Sequence, residues 1–140
     1  MTKNSLILIV VACLFSVMAS AAEFKPYPGA KVDEQATQES LEAAKAAKMT
    51  DVQSTIYTTS DSFSSVAAFY KGIGKEYTMP MASGTSGEPK KYGKYDLWEA
   101  YFIFDGAEDL AGSKLWVKVQ HPFIGEDVRD VTVIVVTEKK

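Results

Sequence analysis

The order of apolar and polar positions after residue 22 predicts two helices joined to a set of strands. Residues 34–48 are rich in alanine, follow a possible N-cap at Asp33, and carry acidic side chains early and lysines late, as a helix dipole favours. Residues 61–71 predict an amphipathic helix capped by Asp61. Its apolar residues recur at helical spacing: Phe63, Val66, Ala67, Tyr70 and Ile73.

Strands are predicted where β-branched and aromatic residues concentrate or alternate with polar ones. These segments are 52–59, 95–104, 114–120 and 131–137. The last three are joined by short connections, which favours antiparallel neighbours. The sequence therefore predicts an α+β fold, in which an antiparallel sheet of about four strands carries one main amphipathic helix on one face and a second, weaker N-terminal helix.

The first residues have the pattern of an export signal. Lys3 precedes an apolar stretch of about a dozen residues, and small residues at 19–21 form a cleavage site. We expect residues 1–22 to be a signal peptide and the mature protein to be periplasmic or secreted, with no transmembrane segment. The alternative is a lipid anchor on Cys13, although the residues that follow this cysteine stay hydrophobic.

Residues 23–140 are long enough for one domain of ordinary size. At its start, residues 23–33 contain two prolines and predict an extended arm with a turn at Pro28-Gly29. Residues 82–94 contain three glycines, a proline and almost no apolar side chains, which predicts a mobile loop.

Charge and cysteine content exclude several classes of function. The chain has 15 basic and 18 acidic residues and a formal net charge of −3, so nucleic acid is not an expected partner. Its only cysteine, Cys13, lies in the predicted signal, so the mature chain would contain neither a disulfide nor a thiolate ligand. We find no catalytic motif, and the sequence nominates no catalytic residue, metal ligand or cofactor.

His121 is the only histidine, and it stands at the end of a predicted strand. It would need an orienting carboxylate to act as a base, and Glu126, Asp127 or Asp130 could fold back within reach. The alternative is a partly exposed imidazole without a function. The acidic residues at 105–109 and 126–130 are expected at opposite ends of one strand, where they are interpreted as solvated turns.

Cations and aromatic residues alternate beside the predicted loop, and this segment is the candidate contact site. The candidate residues are Lys90, Lys91, Tyr92, Lys94 and Tyr95. Such a composition can contact acidic glycans or anionic lipid headgroups. The alternative is an ordinary charged loop that contacts no ligand.

Three segments together resemble a known group of proteins. They are YPGA at 27–30, IYTTSDS at 56–62 and VAAFYK at 66–71. This pattern is similar to small exported bacterial domains of uncharacterised function that show YPGA, YxTxDS and VxxFYK in this order. The resemblance implies an exported location and the same kind of fold, and it implies no chemistry.

These observations favour a small exported binding or accessory module of the cell envelope that does not catalyse a reaction. Its partner would be an unknown envelope component or a small ligand. A second hypothesis is a carboxylate-dependent hydrolase or lyase acting on an envelope substrate, which needs two acids facing each other across a cleft. A third is a subunit of an envelope assembly that pairs through a sheet edge.

Overall fold

An antiparallel sheet of seven strands lies at the centre of the fold, with one helix packed on each of its faces. The computed structural model describes residues 23–140. The predictions made for residues 1–22, namely the signal peptide and the lipid anchor at Cys13, lie outside the described residues.

The elements follow the order β1 (Lys31–Val32), α1 (Glu34–Ala46), β2 (Val52–Thr59), α2 (Phe63–Ile73), β3 (Lys75–Tyr77), β4 (Lys90–Tyr92), β5 (Tyr95–Ile103), β6 (Leu115–His121), β7 (Phe123–Ile124), β8 (Val128–Arg129) and β9 (Thr132–Lys139). The main sheet has the order β1-β2-β9-β6-β5-β3, and β4 also pairs with β5. Strands β7 and β8 form a separate small sheet.

The predicted architecture of one main helix on a sheet of about four strands is wrong. The long strands β2, β5, β6 and β9 do form where expected, but β1, β3 and β4 extend the main sheet to seven strands. These additional strands are two or three residues long, and so short a segment shows no alternation of apolar and polar residues. Helix α1 covers the opposite face from α2, so the fold has three layers.

The main core lies between α2 and the sheet, on what we call the α2 face. Phe63, Val66 and Tyr70 of the helix pack here, as predicted, against Phe102 and the central strands. Tyr70 and Phe102 are completely buried. Contrary to prediction, the N-cap of α2 is Ser62, whose Oγ accepts a hydrogen bond of 3.2 Å from the Ser65 amide.

Asp61 does not cap α2 because its carboxylate binds the N-terminal arm. The Tyr27 hydroxyl donates to Asp61 Oδ2 at 2.6 Å, and the Tyr27 and Phe69 rings pack edge to face with 5.3 Å between their centroids. The Tyr70 hydroxyl donates to the Lys25 carbonyl at 3.1 Å. The segments that carry the sequence resemblance therefore meet in space, and their contacts attach the arm to the core.

The opposite face, which we call the α1 face, is only partly covered. Helix α1 buries Ala36 against Ile56 and Val133. Its predicted N-cap is confirmed, because Asp33 Oδ1 accepts from the Ala36 amide at 3.0 Å. The hydrogen bond from Ala36, followed by that from Arg129, lowers the pKa of Asp33.

The segment 82–94, for which mobility is predicted, makes specific contacts with the sheet. Ser83 is buried, and its Oγ accepts from the Glu99 amide at 2.9 Å and donates to the Glu99 carbonyl at 3.0 Å. Thr85 is held by Glu76, which accepts from its amide at 2.9 Å and its hydroxyl at 2.5 Å. Strand β4 then pairs with β5, so both ends of this segment are fixed to the same strand.

Candidate functional site

A cleft of about 480 Å³ opens where the β4–β5 hairpin meets the end of β6, and we call it the hairpin cleft. It is lined by Lys94, Tyr95, Asp96, Trp98, His121, Pro122, Val128 and Asp130. Apolar surface and titratable groups of both signs therefore converge in one concave place, which is the usual composition of a small-molecule site.

The pairing of β5 with β6 creates this cleft. Trp98 and His121 are direct partners in the register, so both stand on the α2 face. This position lies at the margin of the core, where Phe63 begins α2 and packs against the Trp98 indole at a centroid distance of 5.8 Å. The contact supports the indole from one side, while Trp98 stays partly exposed on the other.

His121 and Asp130 form a pair in the lining of the cleft. His121 Nε2 lies 2.9 Å from Asp130 Oδ1, so one of the carboxylates proposed from the sequence does reach the imidazole. The imidazole is 29% exposed and the Asp130 side chain is 97% exposed. The pair can therefore offer a hydrogen-bond donor and an acceptor to a ligand without first leaving a buried position.

The structure separates the candidate residues into two groups. Lys94 and Tyr95 line the cleft, with Lys94 Nζ 5.4 Å from the centroid of the Tyr95 ring. Lys90, Lys91 and Tyr92 lie on β4 outside the lining. Lys91 nevertheless contacts the cleft through an ion pair with Asp96.

Sequence reasoning missed Asp96, Trp98, Pro122 and Val128 as parts of the site. Trp98 carries a signal, because it is a large aromatic residue at the start of an alternating strand. Its register with His121 depends on a pairing between distant segments, which no local pattern reveals. The remaining lining residues become recognisable only after that pairing is known.

The Asp105 carboxylate, outside the cleft, is engaged in local structure. Burial would raise the pKa of Asp105, but hydrogen bonds from Lys114, Ser113 and Ala107 outweigh it and lower this pKa. Asp105 thus holds the β5–β6 connection. Within residues 23–140, no group of three or more metal-binding side chains is placed to hold an ion.

A separate cavity of about 450 Å³, lined mainly by acidic and polar residues, lies between α1 and the β7–β8 sheet. Arg129 Nη1 donates to Asp33 Oδ2 at 2.7 Å there, and the guanidinium lies 5.5 Å from the centroid of the Phe123 ring. These contacts attach the small sheet to α1. We therefore base the candidate site on the hairpin cleft, which is lined by two aromatic residues, Tyr95 and Trp98.

Comparison with protein-family models, curated proteins and solved structures finds no match for this chain. The resemblance to exported YPGA-type domains therefore stays a prediction. Neither helix in residues 23–140 combines the length and the apolar character that crossing a membrane requires.

Proposed function

We propose that this protein is a small exported binding module of the cell envelope, and that its ligand or partner occupies the hairpin cleft without being chemically changed. The observation that carries the proposal is the position of Trp98, an indole supported by Phe63 on one side and accessible from the cleft on the other. Rigid, partly exposed aromatic residues supply much of the binding energy in recognition sites. The proposal involves no metal and no cofactor.

The charged groups of the cleft support binding rather than acid–base catalysis. Asp96 and Asp130 line the same cleft, as a carboxylate-dependent hydrolase would require. However, Asp96 is paired with Lys91 and is 49% exposed, and Asp130 is almost fully exposed beside His121. A general acid needs a raised pKa, which burial usually provides. The hydrolase or lyase remains the alternative proposal.

An envelope assembly built by edge-to-edge strand pairing has less support. The outermost strands of the main sheet, β1 and β3, have two and three residues. The Asp33 amide donates to the Ile56 carbonyl at 2.8 Å, and the Ile56 amide donates to Thr37 Oγ1 at 3.0 Å. These two hydrogen bonds occupy the edge of β2 beyond β1. Short and occupied edges resist strand addition from another chain.

The location in this proposal follows from the signal pattern of residues 1–22. Export and cleavage between Ala19 and Glu23 would release a periplasmic or secreted protein, and lipidation of Cys13 is the alternative. Mass spectrometry of the exported protein distinguishes them. A diacylated chain that begins at Cys13 would replace the proposed free protein with a membrane-anchored one.

Binding through the cleft can be tested by co-sedimentation of the purified protein with isolated cell envelopes. We expect the double variant Lys94→Ala/Asp130→Ala to lose association by about tenfold or more, since it removes a cation and an anion from the cleft. Both side chains are exposed, so the melting temperature should change little.

The matched control is Glu88→Ala/Lys90→Ala. It also removes one acid and one lysine, both exposed and near the same hairpin, but neither residue lines the cleft. We expect this control to associate as the wild type does. Equal association of all three proteins, or an equal loss in both variants, would contradict a role for the cleft.

A further inference from the structure

Trp98 separates the hairpin cleft from a second cleft on the side of α2. This second cleft has a volume of about 270 Å³ and is lined by Phe63, Ser64, Ala67, Ala68, Lys71, Thr85 and Trp98. The small side chains of Ala67 and Ala68 leave its floor open beside the indole. One aromatic ring therefore borders two adjacent depressions, which suits a ligand longer than either of them.

The charges around this double cleft balance within the protein. Lys91 is paired with Asp96, and Lys94 and Asp130, which carry opposite charges, line the same cleft. In the second cleft, Lys71 Nζ lies 3.8 Å from Glu76 Oε1 and donates to Thr85 Oγ1 at 3.2 Å. Balanced charges keep their hydrogen-bonding capacity but give the cleft no net charge, so the surface complements an uncharged, hydroxyl-rich ligand better than the anionic ligand that the lysines suggest in the sequence.

The backbone beside Trp98 does not favour an extended peptide. Peptides commonly bind by adding a strand to a free sheet edge. On β5, however, Leu97 is paired with Lys90, and the Glu99 carbonyl accepts from both Ser83 Oγ and the Gly84 amide. The other side of β5 is paired with β6. A ligand must therefore be recognised by side chains and by the indole face.

We propose that the two clefts form one groove for an uncharged oligosaccharide, in which a sugar ring lies against Trp98 and its neighbouring rings occupy the clefts on either side. This inference rests on the proposed function and specifies its ligand class. A sugar ring presents an apolar face of C–H groups that suits an indole, and hydroxyl groups at its rim. Lys94, Asp130 and Ser64 would supply donors and acceptors to those hydroxyls.

Tryptophan fluorescence gives a direct test, because the chain contains only two tryptophans. The variant Trp116→Phe leaves Trp98 as the single reporter. It would be titrated with three uncharged hexasaccharides, cellohexaose, maltohexaose and hexa-N-acetylchitohexaose, and with the corresponding disaccharides. Hexagalacturonate and an uncharged hexapeptide would serve as competitors of other chemistry. We expect at least one hexasaccharide to shift the emission saturably and to bind about tenfold more tightly than its disaccharide.

A blocking variant tests whether the second cleft takes part. In the Trp116→Phe background, Ala68→Arg places a long side chain in that cleft, and we expect it to reduce hexasaccharide affinity to that of the disaccharide. Ala43→Arg, which changes an exposed alanine of α1, should have no effect. Equal affinity for both lengths, or an unchanged hexasaccharide affinity in Ala68→Arg, would overturn the continuous groove.

The ligand class and the proposed function fail in different ways. If no uncharged saccharide binds, or if the hexapeptide or hexagalacturonate binds more tightly, the saccharide proposal is wrong. Should Lys94→Ala/Asp130→Ala still lose envelope association in that case, the binding module stands with another ligand. Should this variant associate normally as well, both proposals fall.

Discussion

The two faces of the sheet are closed in different ways. On the α2 face, the helix and the N-terminal arm bury a cluster of aromatic and branched side chains, including Tyr70, although Trp98 at its margin stays partly exposed. On the α1 face, Lys118 Nζ pairs with Glu99 at 3.4 Å, and Tyr101 and Trp116 stay partly exposed beside them. Stability should therefore depend mainly on the α2 face, and the candidate groove lies where the cover of that face ends.

The largest expected difference between the faces comes from a pair of tyrosines. Tyr70→Ala should lower the free energy of unfolding by about 3–5 kcal/mol, because it empties a fully buried site among Phe24, Phe102 and Phe104. Tyr101→Ala, on the α1 face, should cost less than half as much. Chemical denaturation measures both values, and similar losses would show that the two faces contribute equally.

Sequence patterns anticipated the strongly periodic parts of this fold. Helix α2 and strand β6 bury one side against the core, so burial itself creates their apolar period. The same reasoning cannot find β4, whose three residues carry two lysines and are held by strand pairing and an ion pair rather than by burial. Nor can it show that Asp61 binds Tyr27, because this contact joins residues 34 positions apart.

The candidate site was only partly predictable for a similar reason. Lys94 and Tyr95 are neighbours in the sequence and stood out as an alternation of cationic and aromatic residues. Trp98 and His121 belong to different strands, and only the register of β5 with β6 brings them together. The ion pair between Lys91 and Asp96 also changes the expected ligand, because it neutralises a lysine that the sequence alone presents as a free cation.

An intermediate loss of stability is expected at Ser83, in the loop that is attached to strand β5. Ser83→Ala should cost about 1–3 kcal/mol, since it leaves the Glu99 amide and carbonyl without the Ser83 hydroxyl in a largely buried place. Ser86→Ala, at an exposed position in the same loop, should change stability by no more than about 0.5 kcal/mol. Equal melting temperatures for the two variants would indicate that the loop is not anchored by Ser83.

A smaller loss of stability, which depends on pH, is expected when the charge of Asp33 at the start of α1 is removed. The pKa of Asp33 is lowered, so its charge stabilises the fold above its usual value of 3.8, and this contribution is lost as the pH falls through the lower, folded-state pKa. Asp33→Asn keeps a capping side chain but loses the charge. Its melting temperature should lie below that of the wild type at neutral pH, and the difference should vanish in strong acid.

Arg129→Gln removes one of the two hydrogen bonds that lower the pKa of Asp33. In the Arg129→Gln background, the pH-dependent difference in melting temperature between Asp33 and Asp33→Asn should be smaller than in the wild-type background. It should not vanish, because the Ala36 amide still donates to Asp33. A difference between Asp33→Asn and the wild type that stays constant from neutral pH to strong acid would show that the charge of Asp33 does not hold α1 in place.

The smallest effect is expected at Trp116 on the α1 face. Its Nε1–H is buried and has no hydrogen-bond partner within residues 23–140. Trp116→Phe removes this donor while keeping an aromatic ring beside Tyr101, so the free energy of unfolding should change by less than about 1 kcal/mol. A larger loss in chemical denaturation would mean that the indole itself is essential to this face.

The central position of β9 determines the order in which parts of the sheet can form. This strand lies between β2 and β6, and it pairs with both of them along most of its length. Until Thr132–Lys139 is available, no strand pairing joins β1 and β2 to the part of the sheet that contains β3, β4, β5 and β6. Pairing between distant segments makes folding slow, and here β9 must be available before the two parts of the sheet can join. The segments that precede β9 in the chain therefore wait for it before the sheet is continuous.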